Sequence, residues 1–359
     1  MKIIIFAGGT GKRFWPLSRS NTPKQFLEIL GEKPMVRMTV DRLQTEFSIN
    51  DIFLSTGKKY ANEVKAMLPD LPAENYIFEP EMRDTGPAVT LAVSYVTKLF
   101  PNEVLACIWS DHLIKDVPTF VQALKEGEDL VKEKNKIVFV TVPARFASPH
   151  RGYIHFGEEI ARSTNEHIKI CDFKQFEEKP NEERAQGFIE DGHYGWNPGY
   201  WIFKGENYLN KVKDTAPQTY EVCKRIVDSN FDEATIQEFI GLERISADYI
   251  FAEKVFASEA AVVFAEFGWS DIGEWISLKE ALQESNEANV IKGNIIDLGS
   301  KDTLIHNYEE SKLVATIGLE GYVVVNTPDV VAIFPKSNNM KLKELLKQFE
   351  DNPELAKYL

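Results

Sequence analysis

Apolar residues in the first part of the chain come in short unbroken runs, at 3–7, 52–56, 75–78, 104–109 and 137–142. Runs of that length without polar alternation predict strands buried on both faces. Between them, helical patterns lie near 34–47, 59–68, 86–99 and 118–134. Strand, helix, strand repeated this often predicts an α/β fold with a mostly parallel, Rossmann-like sheet and right-handed crossovers. The pattern continues to a helix ending near Ser285 and Asn286, so one domain is expected over 1–287. From Ile291 the texture changes. Runs at Thr303 to Asn307, Leu313 to Ile317, Tyr322 to Asn326 and Val330 to Phe334 alternate with Gly, Asp, Asn and Ser, which suit turns. A small β-rich module is expected over 288–359. Its final helix carries Leu342, Leu345, Leu346 and Phe349 on one face, as a packing or dimer element.

Charge sharpens the picture at one place. The chain has 359 residues and a formal net charge of −14, yet its first 27 residues hold five basic side chains and no acid. Lys2, Lys12, Arg13, Arg19 and Lys24 surround the run Phe6-Ala7-Gly8-Gly9-Thr10-Gly11-Lys12-Arg13-Phe14. This loop follows a strand, and open α/β sheets bind ligands at strand carboxyl ends. Gly8, Gly9 and Gly11 let the backbone approach an anion and present consecutive N–H groups to it. Arg13 adds a fork of donors and Lys24 a second, mobile charge. A Walker loop would need Ser or Thr after Gly11-Lys12, and a dinucleotide fingerprint a third glycine where Phe14 stands. The latter absence excludes an NAD-dependent Rossmann enzyme.

Two further strand ends carry chemistry. The run Phe78-Glu79-Pro80-Glu81-Met82-Arg83-Asp84-Thr85-Gly86-Pro87-Ala88 ends a strand at Glu79 and opens a helix, with Thr85 as its expected cap. Guanine presents N1–H and an exocyclic amine side by side, and one carboxylate can accept from both. Asp111, in Trp109-Ser110-Asp111-His112, ends the run Val104 to Ile108. A carboxylate there suits Mg²⁺, which takes one or two protein oxygens together with phosphate and water. The best partner is Asp271, in Gly268-Trp269-Ser270-Asp271-Ile272-Gly273; His112 reads as a structural neighbour.

The stretch from Ala7 to Phe26 resembles the nucleotide-sugar pyrophosphorylases, whose pattern is Gly-Gly-x-Gly-x-Arg-Leu followed by Pro-Lys; Phe14 replaces the Leu. Trp15-Pro16-Leu17-Ser18-Arg19 and Pro23-Lys24-Gln25-Phe26 resemble the mannose-1-phosphate guanylyltransferases in particular. The resemblance covers nearly the whole chain. It implies nucleotide-binding roles for Ala7, Gly8, Gly9, Gly11, Glu79, Thr85 and Asp111, and pairs Asp111 with Asp271 as Mg²⁺ ligands. It also implies a short left-handed β-helix for the C-terminal module. The segment at Glu79 is similar to Glu-Pro-x-x-Arg-Asn-Thr-Ala-Pro-Ala, with Asp84 for Asn and Gly86 for Ala. Gly152-Tyr153-Ile154 resembles the step where the glycine backbone lies against the hexose. Glu178 and Lys179, in Phe176-Glu177-Glu178-Lys179-Pro180, would take sugar hydroxyls and the attacking phosphate. Trp196-Asn197-Pro198-Gly199 stands where the family has Asn-Ser-Gly; Asn197 offers a donor and an acceptor to the sugar, and Pro198 offers no N–H.

The implied reaction joins GTP and α-D-mannose 1-phosphate to give GDP-mannose and pyrophosphate, with Arg13, Lys24 and Lys179 as the catalytic cations. Two other readings are a catalytically weak nucleotide-sugar-binding regulatory subunit and a pyrophosphorylase for another hexose 1-phosphate. Keeping Arg13, Lys24, Asp111, Lys179 and Asp271 together favours the enzyme. The chain ends at Leu359, without the extension that would carry a phosphomannose isomerase, so a single activity is expected. Cys107, Cys171 and Cys223 match no metal or redox motif, which points to a reducing, cytoplasmic setting. No signal peptide or membrane-length apolar stretch is visible, and the acidic balance argues against nucleic acid. A homodimer is expected.

Overall fold

The five apolar runs form β1 (Lys2–Phe6), β2 (Ile52–Gly57), β3 (Tyr76–Glu79), β4 (Val104–Trp109) and β5 (Ile137–Pro143). They alternate with helices that include Ala61–Met67, Thr85–Leu99 and Val117–Lys134. The computed structural model describes residues 1–9, 12–19 and 21–359, Lys12 by its backbone alone. Gly11 therefore lies outside the described residues. The chain forms two compact units. The first comprises Met1–Gly8, Val36–Ser110 and Ile114–Trp269; the second comprises Gly9–Met35, Asp111–Leu113 and Ser270–Leu359.

Unit one is built on a nine-stranded sheet completed by β6 (Tyr153–Arg162), β7 (Ile168–Glu177), β8 (Tyr194–Lys204) and β9 (Ala260–Ala265). The strand order is β3-β2-β1-β4-β8-β5-β9-β7-β6. β1 pairs in parallel with β2 (Ile4 beside Phe53) and with β4 (Ile4 beside Cys107). The winding thus reverses at β1, and the carboxyl ends of β1 and β4 flank the crevice where such sheets take ligands. β8 runs antiparallel between β4 and β5. β6 and β7 also pair antiparallel, because the short turn between them cannot make a crossover. Ile4, Phe53, Leu105, Phe139, Trp201 and Phe203 are buried in the sheet's core.

Unit two gathers the turn-rich N-terminal segment and the C-terminal module around Phe14, Ile29, Ile272, Trp275, Leu304, Val323 and Val325. Trp275 Nε1 donates to the Trp15 carbonyl at 2.9 Å. The module contains β10 (Val290–Lys292), β11 (Ile295–Leu298), β12 (Leu304–Asn307), β13 (Val314–Ile317), β14 (Tyr322–Asn326) and β15 (Val331–Pro335). β10, β12 and β14 stack in parallel, as do β11 and β13, which is the pairing of successive coils of a β-helix. Asn326 Nδ2 donates to Asn307 Oδ1 at 2.7 Å between two coils. Helix Lys341–Glu350 buries Leu342 and Leu346 against Trp15 and Ala332, so its apolar face packs within the unit.

Candidate active site

In unit two, Leu113 and Ser270 form a two-bond antiparallel bridge, at 2.9 and 3.1 Å. The bridge sets the segments carrying Asp111 and Asp271 side by side, and Lys24 closes the arrangement. Its ammonium donates to the Asp111 carbonyl at 2.8 Å, to Asp111 Oδ2 at 3.2 Å and to the Asp271 carbonyl at 2.7 Å. Lys24 is 5% exposed, so the expected mobile charge is instead a buried one with all three donors committed. Burial pushes its pKa down, and Asp111 opposes that. Burial would raise the Asp111 carboxyl, but Lys24, followed by His112, holds it below the usual carboxylate range. His112 Nε2 lies 3.9 Å from Asp111 Oδ1, beyond hydrogen-bond reach.

Arg13 is exposed, and its guanidinium lies against Gly273: a Cβ there would stand 3.1 Å from Nη1. The bare backbone at 273 leaves room for the Arg13 fork. Of the other N-terminal bases, Lys2 pairs with Asp51 at 2.6 Å and Arg19 grips Asp329 through two bonds of 2.8 and 2.6 Å. The acid-free stretch is therefore partly neutralised by acids from elsewhere in the chain. Among the described residues, no group of three or more His, Cys, Asp or Glu is placed to hold a metal ion. Two aspartates whose segments are joined through one lysine still fit Mg²⁺, a hard cation that completes its shell with phosphate oxygens and water.

In unit one, Ala7 extends the sheet: its N–H donates to the Ser55 carbonyl at 2.8 Å, and Thr56 Oγ1 donates to its carbonyl at 2.7 Å. Gly8 is exposed directly beyond it. Glu79, at the end of β3, is 6% exposed, and Ser55 Oγ lies 3.4 Å from Oε1. Burial pushes its carboxyl up to about 7. The cap of helix Thr85–Leu99 is Asp84, whose carboxylate accepts from Thr85 N at 2.7 Å. The expected cap, Thr85, has another task. Its Oγ1 accepts from Ala247 N at 2.9 Å and lies 3.2 Å from Ser246 Oγ.

The hexose-motif residues also lie in unit one. A Cβ on Gly152 would stand 2.5 Å from Glu178 Oε2 and 2.8 Å from the Phe176 ring, so the glycine is required by close approach. Gly152 O accepts from Asn197 N at 2.9 Å, and the Arg151 carbonyl accepts from Lys179 N at 3.2 Å. Glu178 Oε1 accepts from the half-exposed Lys179 ammonium at 2.7 Å. The Asn197 amide is more committed than its sequence context implies. Its Oδ1 accepts from Gly199 N at 3.0 Å and Trp201 Nε1 at 3.3 Å, and its Nδ2 donates to Asp248 at 3.2 Å. Asp248 belongs to no motif read from the sequence. Its place follows from Ile245–Asp248 docking on the helix start at Thr85, a contact between residues some 160 apart.

The family model described as "Nucleotidyl transferase" matches residues 2–288, and one described as "MannoseP isomerase/GMP-like beta-helix domain" matches 293–349. Mannose-1-phosphate guanylyltransferase 2 of Escherichia coli O157:H7 is 31% identical over 357 residues, covering 97% of this chain and 73% of that protein. The mannose-1-phosphate guanylyltransferase of Klebsiella pneumoniae is 31% identical over 356 residues, covering 97% and 74%. A solved structure from Thermus thermophilus, described as a mannose-1-phosphate geranyltransferase, matches with a TM-score of 0.84 at 27% identity. It covers 97% of this chain and 99% of its own.

Proposed function

Because this chain belongs to the mannose-1-phosphate guanylyltransferase family of nucleotidyltransferases, we propose that it makes GDP-mannose and pyrophosphate from GTP and α-D-mannose 1-phosphate. The observation that supports catalysis, against a binding-only subunit, is Lys24 holding Asp111 and Asp271 together. A nucleotide-sugar sensor has no use for one buried cation fixed on the Asp111 carboxylate and on the backbone of a second aspartate.

The mannose 1-phosphate oxygen is already an anion, so the attack on the GTP α-phosphorus needs no general base. The work is alignment, and stabilisation of the charge that develops as pyrophosphate leaves. Lys179 holds the attacking phosphate, with Glu178 setting its ammonium. Arg13 gathers the β- and γ-phosphates. Lys24 fixes the Asp111 and Asp271 segments and trades its long 3.2 Å bond to Asp111 for a phosphate oxygen when nucleotide arrives. Asp111 and Asp271 would hold Mg²⁺, which would supply neutralisation of phosphate charge. Glu79 takes the guanine edge, with Ala7, Gly8, Gly9, Gly11 and Thr85 lining the nucleotide; Gly152 and Asn197 border the hexose.

The enzyme works as a homodimer in the cytoplasm, a setting supported by three buried free cysteines. No helix is long and apolar enough to cross a membrane among the described residues. Four nucleoside triphosphates crossed with several hexose 1-phosphates, read by pyrophosphate release, test the reading. GTP with mannose 1-phosphate is expected to give the highest kcat/KM. Binding of GDP-mannose with no release from any pair would leave the regulatory reading. Asp271→Asn is expected to lose about 10²–10³ in kcat, the scale for removing one preorganised charge partner. Wild-type turnover by that variant at limiting Mg²⁺ would remove the metal role.

A further inference from the structure

One carboxylate beside the hexose motifs has no assigned role. Ser246 Oγ donates to Asp248 Oδ2 at 2.6 Å, and Asn197 Nδ2 donates to Oδ1 at 3.2 Å. A carboxylate oxygen accepts twice, so one side-chain bond to each oxygen does not saturate the group. Asp248 is only partly buried, which leaves it reachable. Glu178 is close enough for the two charges to interact. Burial first, then the charge of Asp248, pushes the Glu178 carboxyl up, and burial pushes Asp248 up as well. Lys179 counters both, and it is already bonded to Glu178 Oε1.

Two recessed carboxylates sharing one cation are unfavourable in the unliganded protein. A ligand rich in O–H donors relieves that, since each hydroxyl can give its proton to one carboxylate oxygen. A group that offers only acceptors finds no donor in the two carboxylates. The neighbours fix Asp248 for such a task. Ser246 lies 3.2 Å from Thr85 Oγ1, and Ile245 O accepts from Gly86 N at 2.8 Å, so the segment is anchored on a helix start.

Resting on the function proposed above, we propose that Asp248 is a specificity-determining residue that accepts a hydrogen bond from a ring hydroxyl of the hexose 1-phosphate, adjacent to the hydroxyl taken by Glu178. The pair then selects for two neighbouring hydroxyls on one edge of the sugar. Asn197, with its amide oxygen spent on Gly199 and Trp201, acts mainly by orienting Asp248.

The test compares wild type and Asp248→Asn on mannose 1-phosphate and its 2-, 3-, 4- and 6-deoxy analogues. The variant is expected to lose roughly 10- to 100-fold in kcat/KM on mannose 1-phosphate, the scale for a hydrogen bond to a charged group. The loss should lie in the sugar KM, with the GTP KM unchanged. One deoxy analogue should be a poor substrate for wild type and suffer no further loss in the variant. Equal losses on all five sugars, or none, would overturn the assignment. Ser246→Ala gives a second reading if Asp248→Asn folds poorly: it frees Oδ2 but keeps the carboxylate, and should weaken discrimination against that same analogue. Unchanged discrimination would also count against Asp248. Wild type releasing pyrophosphate with no hexose 1-phosphate would instead overturn the proposed function itself.

Discussion

If Glu79 reads the base as proposed, recognition and stability are opposed within one side chain. Burial pushes its carboxyl from 4.5 up to about 7 in the folded protein. On the proposed role, accepting two guanine donors requires the ionised form, so below pH 7 GTP binding would release a proton. Affinity should fall about tenfold per pH unit there and level off above it. For folding, the raised carboxyl contributes stability that is fully present below about 4.5 and is lost as pH rises through 7. Glu79→Gln removes that dependence. Thermal unfolding at pH 8 should find the unliganded variant more stable by about 3 kcal/mol, a gap that narrows as pH falls toward the unfolded value. Its preference for GTP over inosine triphosphate, which lacks the amine, should drop roughly 5- to 150-fold, because a donor then faces a donor. An unchanged ratio would show that Glu79 does not read the base. The positions of Glu79 at the end of β3 and of the meeting segments that carry Asp111 and Asp271 are legible in the sequence, because strand ends and small flanking residues mark them. Lys24's burial is not, since its partners lie 87 and 247 residues away. The Asn197 amide misleads for the same reason: local chemistry shows what it offers, not what neighbours have already taken.

At the scale of elements, the start of helix Thr85–Leu99 holds the segment that carries Asp248. Gly86 N donates to the Ile245 carbonyl at 2.8 Å, and a Cβ on Gly86 would stand 2.5 Å from that same oxygen and 3.0 Å from Ile250 Cδ1. The glycine found where the related motif carries alanine thus answers to this docking. Gly86→Ala must push Ile245–Asp248 away from the helix. It should destabilise the protein by about 1–3 kcal/mol, as overpacking does, and raise the KM for mannose 1-phosphate. A variant with wild-type melting temperature and sugar KM would show that the segment yields freely. The parallel strands β1–β5 are readable because burial on both faces makes them continuous apolar runs. Three of the four C-terminal runs fall within a residue or two of β12, β13 and β15, and the run Tyr322–Asn326 is β14 itself. β6–β8 are harder to read. β6 alternates irregularly, with register shifts against β7 that break its two-residue period. No local signal tells that Ile245–Asp248 will dock on a helix so far back in the chain.

At the scale of the molecule, the coils of unit two leave an apolar face uncovered. Ile296, Leu298, Leu313, Ile317, Val331 and Ile333 are each more than half exposed. They alternate with inward-facing Thr316 and Ala332, as strand geometry requires. Leu313, Ile317, Val331 and Ile333 also line a hollow of about 480 Å³ that includes Lys312 but no acid. Together the six side chains expose on the order of 600 Å² of apolar surface, at the upper limit for a monomer and near the area one partner contributes to a stable dimer. A chain of net charge −14 repels its own copies, and that repulsion is weakest where the surface carries no carboxylates. The hollow on this face is lined by no acid, and a second copy is the occupant we expect. Light scattering at micromolar concentration should give twice the 40.9 kDa chain mass for wild type. The double variant Ile317→Asp, Val331→Asp should run as a monomer, because two carboxylates per chain would be desolvated in the interface. Both positions are exposed, so the melting temperature of the dissociated chain should move little. A monomeric wild type, or a double variant that still dimerises, would place the contact elsewhere or remove it. If the double variant keeps its turnover, each chain carries a complete set of reacting groups and the dimer serves stability alone.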